Sequence, residues 1–133
     1  MDTGAIVGYP KDSLNAFHSF PIMESIFVNP GTMIQRFIEI LEPYSLLYFY
    51  IGIKSLDINV RFYYLGGFTS ATEKRQLLLN KEKCQVEFKG NIIALEKGIY
   101  MFEFDNTYSW MKGKSILYDA LVLTPLDLVK GEV

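Results

Sequence analysis

Glu103 and Asp105 stand at i and i+2, a spacing that puts two carboxylates on one face of a strand and supplies the raw material of a glycosidase pair. The alternation around them argues for a plainer use, with Glu103 on the wet face of its strand and Asp105 in the turn that follows. His18 is the single histidine and Cys84 the single cysteine. A His/Cys metal cluster therefore cannot form, and a cysteine nucleophile would depend on one residue from the N-terminal stretch. Cys84 reads as a small strand residue. Neither a Gly-rich phosphate loop nor a nucleophile elbow is present. The expectation is a non-enzymatic chain with no metal site and no cofactor.

Binding chemistry is better represented. Tyr108, Trp110, Lys112 and Lys114 follow one another within seven positions. Exposed together, they would form an aromatic and cationic loop tip suited to a protein partner or a membrane surface. The structural alternative is that Tyr108 and Trp110 fold back over the end of the domain and the lysines are simply solvated. A second basic cluster, Lys74, Arg75, Lys81, Lys83 and Lys89, is diluted by Glu73, Glu82 and Glu87. With a net charge of −2, no nucleic-acid partner is expected.

These residues need a scaffold, and 133 residues, half of them hydrophobic, suffice for one domain with a sizeable core. The 10 Phe, 9 Tyr and abundant Val and Ile favour pleated surfaces over helix faces, so an all-β chain is predicted. One cysteine excludes an internal disulfide and suits a reducing compartment. The N-terminus, with Asp2, Pro10, Lys11 and Asp12, is a poor signal peptide. Uncharged runs such as Pro43–Ile53 stop at eleven residues, short of the ~20 that a membrane-spanning helix needs.

Residues 1–22 show no sustained period and read as a tail or edge extension. From Ser25 onward turn signals recur at Asn29-Pro30-Gly31, Glu42-Pro43, Lys54 to Asp57, Gly66-Gly67, Lys89-Gly90-Asn91, Glu96-Lys97-Gly98 and Lys112-Gly113, the spacing of a β-sandwich or barrel. Leu56, Ile58, Val60, Phe62 and Tyr64 alternate with polar residues, a period of two that buries one face. Tyr100, Phe102 and Phe104 do the same. Ile116, Tyr118, Ala120 and Val122 belong to a strand apolar on both faces, hence a central one. Asn29-Pro30-Gly31 fits a type II turn. Gly90-Asn91 suits a tight hairpin, which with Gly98 would make Cys84 to Phe104 a three-strand meander. One helix is plausible, Ser70 to Leu79, although Thr72 to Arg75 equally suits a charged loop leading into a strand.

The run Phe104-Asp105-Asn106-Thr107-Tyr108-Ser109-Trp110, preceded by Gly98-Ile99-Tyr100 and followed by Ser115-Ile116-Leu117-Tyr118, resembles the C-terminal signature of the GOLD (Golgi dynamics) domain. Leu46-Leu47-Tyr48-Phe49-Tyr50 and Asp57-Ile58-Asn59-Val60-Arg61-Phe62 are similar to the family's aromatic and Asp-Ile strands in the expected order. Tyr48 stands where a Trp is usual. The resemblance spans about Ile26 to Leu123 and implies a jelly-roll β-sandwich of about eight antiparallel strands. It implies, too, a non-enzymatic interaction module of Golgi and secretory traffic, nearer to the family's cytosolic members than to its membrane-spanning cargo receptors. In that frame residues 23–125 form the domain and 126–133 a tail, while Gly98, Tyr100, Phe104, Asp105, Asn106 and Ser109 serve the fold. A lipid or small-molecule cavity lined by Tyr48, Tyr50, Phe62 and Tyr64 is the alternative, and a lectin or sugar-active jelly roll a more distant one. The expected location is the cytoplasm, peripheral to Golgi or other endomembranes.

Overall fold

Alternating apolar side chains become strands through most of the chain. The computed structural model describes residues 6–7, 23–68 and 75–130. Its strands are β1 (Ile6–Val7), β2 (Glu24–Val28), β3 (Met33–Ile40), β4 (Ser45–Ile53) and β5 (Ile58–Gly66). They continue with β6 (Gln76–Cys84), β7 (Phe88–Ala94), β8 (Gly98–Asp105) and β9 (Lys114–Leu123), and a short helix α1 (Pro125–Lys130) follows. One sheet has the order β1-β7-β4-β9-β2 and the other β3-β8-β5-β6. Every pairing is antiparallel. The eight longer strands thus form a jelly-roll β-sandwich.

Between the sheets lie the inward rows of both. Ile58, Val60 and Phe62 of β5 and Tyr100, Phe102 and Phe104 of β8 face Leu47, Phe49 and Ile51 of β4, all fully buried. The rings interlock, with Phe49 and Phe102 centroids 5.3 Å apart across the sandwich and Phe62 and Phe102 4.3 Å apart within one sheet. Each such ring removed from water contributes about 1.5 to 3 kcal/mol. Gly98 opens β8 with φ of 144°, and a Cβ there would lie 2.3 Å from the carbonyl oxygen of Gly66. Only glycine fits that approach.

The type II turn at Asn29-Pro30-Gly31 is present, with Gly31 at φ of 73° and Thr32 N donating to Asn29 O at 3.2 Å. Strand β9 lies between β4 and β2, as its two apolar faces require. Three expectations are corrected. The meander from Cys84 to Phe104 does not form, because β7 pairs with β4 while β8 pairs with β3 and β5 in the opposite sheet. Gly90 sits buried within β7 directly opposite Phe49, and no turn results. Residues 76–79 of the expected helix are strand β6, with 69–74 outside the described residues. Leu56 precedes β5 and is exposed, so the buried alternation begins at Ile58.

The helix forms elsewhere. Thr124 Oγ1 accepts from Asp127 N at 3.2 Å while an Asp127 carboxylate oxygen accepts from Thr124 N at 2.9 Å, a capping box with Pro125 in the first helical position. Residues 126–130, assigned above to a tail, thus form most of α1. Leu128 packs beside Tyr48 and Leu123 on the outer face of the five-stranded sheet. Ile6 and Val7 pair with Ile92 and Asn91, extending that sheet's edge, and His18 lies outside the described residues.

Candidate functional site

Two loops and a turn meet at one end of the sandwich: residues 54–57 between β4 and β5, residues 106–113 between β8 and β9, and the turn at 29–32. Asn106 fastens the turn to the second loop. Its buried Nδ2 donates to the carbonyl oxygens of Val28 at 3.2 Å, Asn29 at 3.3 Å and Lys112 at 2.9 Å. Its backbone N donates to Thr32 O at 2.9 Å, and its own carbonyl accepts from Gly31 N and Ser109 N. Gly31 N donates also to Ser109 O at 2.6 Å, and Lys112 N donates to Ser109 Oγ at 3.3 Å. Asp105 starts the loop with an Asx turn, its Oδ1 accepting from Thr107 N at 2.8 Å and Thr107 Oγ1 at 2.6 Å. The loop is held from both flanks.

Lys114 is not part of an exposed tip, contrary to the expectation. Its side chain is 3% exposed, and Nζ donates to Asp57 O at 2.6 Å, Asp57 Oδ1 at 3.2 Å and Tyr108 Oη at 3.1 Å while lying 4.7 Å from the Tyr108 ring centre. The phenol of Tyr108 donates to the Asp57 carboxylate, folding its ring over the sandwich end. That bond holds the Asp57 carboxyl below the usual range, with Lys114 adding to it. Partial burial and the Asp57 charge together raise the Tyr108 phenol. The three groups form a clamp between the loops. Lys114→Met is expected to cost about 2 kcal/mol, because Asp57 loses a charged partner yet is open enough to recover some hydration. Urea unfolding checks this, and an unchanged midpoint would show the clamp to be energetically neutral.

Trp110 takes the opposite course. It does not fold back but stands 83% exposed, with Met111 at 72% and Leu56 at 54% beside it. Together with Tyr108, Ser109, Lys112 and the clamp they line an open depression of about 330 Å³. Leu56 has a φ of 60°, a left-handed conformation unfavourable for a branched side chain and kept here at an exposed position. Sequence reasoning placed Trp110 and Lys112 correctly at this end and missed Leu56 and Met111. Met111 lies inside the aromatic loop and was legible there; Leu56 was hidden because it continues the alternation of β5.

The carboxylate pair has a structural occupation. Glu103 is buried, not on a wet face, since Arg61 directly across the sheet reaches its Oε1 at 3.2 Å and Asp105 Oδ2 at 2.7 Å. Burial alone would raise the Asp105 carboxyl, but the bonds from Thr107 and Arg61 outweigh it and hold it below its ordinary value. Cys84 ends β6, its Sγ 3.2 Å from Val86 O. Among the described residues no group of three or more His, Cys, Asp or Glu is placed to hold a metal ion. The cavity proposed for Tyr48, Tyr50, Phe62 and Tyr64 does not exist as such. Tyr48 and Tyr50 belong to the outer cluster under α1, whereas Phe62 and Tyr64 pack into the core on the other side of β4.

These features define the chain as a jelly-roll β-sandwich with an apolar tip at one loop end. No family model matches it, and no curated protein matches it. Among solved structures it is similar to one described as "CBM4 structure and function", at 14% identity over 74% of this chain and 70% of that chain, with a TM-score of 0.37. That likeness is too distant to bear on what this chain binds. No helix among the described residues is long and apolar enough to cross a membrane.

Proposed function

We propose that this chain is a non-enzymatic docking module whose loop end recruits a protein partner or a membrane surface in Golgi or other endomembrane traffic. The observation that carries the docking reading is Trp110, held out beside Met111 by a loop that Asn106, Gly31 and Ser109 fasten on both sides. A fixed apolar tip loses little conformational freedom when it binds. The ion pairing of Glu103 and Asp105 with Arg61 supports a structural use for the residues that could otherwise serve acid–base chemistry. The trafficking context rests on the resemblance of Gly98 to Tyr118 to the GOLD signature.

Expression of the fluorescently tagged chain in cells tests this reading. The unaltered chain is expected to concentrate on Golgi or other endomembranes at the cytoplasmic face. A Trp110→Ala, Met111→Ser variant of equal melting temperature should become diffuse. A diffuse unaltered chain, or identical patterns from both, would remove the loop end as the docking surface.

A further inference from the structure

We propose that the surface met by this loop end is an anionic lipid bilayer, an inference that rests on the docking reading above. Leu56, Trp110 and Met111, from two adjacent loops, are all exposed and line one open depression, and monomeric proteins seldom leave such apolar clusters in water. The cations around the tip are all lysines. Lys112 is exposed next to Met111, Lys54 is exposed in the neighbouring loop, and exposed Lys83 reaches over the Tyr108 ring at 5.5 Å. The carboxylate lining the depression, Asp57, is engaged by Lys114 and Tyr108 and so offers little repulsion.

This composition discriminates between partners. Protein interfaces favour Arg and deplete Lys, because a planar, preorganised guanidinium suits fixed acceptors. Lysines on flexible stems suit a fluid array of headgroups, where position along the surface is not fixed. Trp fits the same boundary, with an apolar ring and one polar N–H that prefer the interface between water and hydrocarbon.

Trp110 is the single tryptophan of the chain and therefore reports on its own environment. Intrinsic fluorescence and co-sedimentation would be measured with phosphatidylcholine vesicles containing or lacking phosphatidylserine. With phosphatidylserine the emission should shift to the blue, brominated acyl chains should quench it, and raised salt should reverse both, since the lysine contribution is screened. Lys112→Glu is expected to weaken vesicle partitioning about thirtyfold, since losing the lysine and gaining an acid each count for about fivefold near an anionic surface. Leu56→Gly separates binding from folding, because it relieves the left-handed backbone strain while deleting apolar surface. It should bind vesicles less well at undiminished stability. Unchanged Trp110 emission with no sedimentation on phosphatidylserine vesicles would overturn the lipid proposal. If cellular recruitment still depends on Trp110 in that case, the docking reading stands and its target is a protein; if it does not, both fail.

Discussion

Replacing Arg61 by methionine is expected to lower stability by about 3 to 5 kcal/mol near neutral pH. Arg61 links Glu103 and Asp105, whose side chains are 5% and 10% exposed, while Tyr63 Oη lies 3.5 Å from Glu103 Oε1. Methionine keeps an aliphatic stem of similar length and removes the charge. Two carboxylates would then share a poorly hydrated site, and each disfavours the charged form of the other. Adding Glu103→Gln to the methionine variant should restore part of the loss, because it deletes the unpaired charge. The pH dependence has a fixed sign. Asp105 has a lowered pKa in the folded chain, so it contributes stability that is present above the unfolded carboxylate value of about 3.9 and lost as pH falls through the folded one. Without Arg61 that acid sensitivity should flatten. Chemical unfolding between neutral and acid pH measures both effects. A loss under about 1 kcal/mol would mean that water already screens the pair.

Asn106→Val should cost about 3 kcal/mol, through a different cause. One amide group satisfies three carbonyls from two separate segments, those of Val28 and Asn29 and that of Lys112. Valine has comparable bulk and no donors, so the buried Val28 oxygen would be left without a partner while those of Asn29 and Lys112, which are partly open, could turn to water. The loop that carries Trp110 should loosen at the same time. Hydrogen exchange at the amides of Ser109 and Lys112 is expected to speed up more than exchange in the core strands. Uniform acceleration everywhere would show that Asn106 stabilises the whole sandwich equally and does not anchor the loop.

The strands were legible where one physical demand acted on them. Ile58, Val60 and Phe62 alternate because β5 buries one row in the core, and β9 is apolar on both rows because the sandwich core covers one and Leu121 and Leu123 join the outer cluster on the other. Turn chemistry was legible at Asn29-Pro30-Gly31, where the i→i+3 bond and the positive φ coincide. It misled at Gly90-Asn91, since glycine also occurs inside strands, here opposite Phe49. Pairing between sheets was not legible at all. Strands adjacent in sequence, β6, β7 and β8, separate into two sheets, and nothing local distinguishes that crossing from a hairpin. The capping box of Thr124, Pro125 and Asp127 was readable and passed over, because only six residues of helix follow it.

At the site, residue type predicted proximity better than role. Tyr108, Trp110, Lys112 and Lys114 do converge, yet the last is sequestered in the clamp and the first is divided between ring exposure and a bound phenol. Whether a lysine is solvated or buried depends on Asp57, fifty-seven residues before Lys114 in the chain. Sequence spacing does not carry that information.

The strand order also sets a timetable for synthesis. Strand β2 pairs only with β9, Glu24 opposite Tyr118, while both neighbours of β4 are translated after it and β3 waits for β8. A chain emerging from the ribosome can therefore close neither sheet until the codons for β8 and β9 have been read. Non-local order of this kind folds in milliseconds to seconds, slower than helical bundles by orders of magnitude. For that interval β3 and β4 are exposed as sticky, unpaired segments, so the nascent chain is the form of this protein most in need of a chaperone.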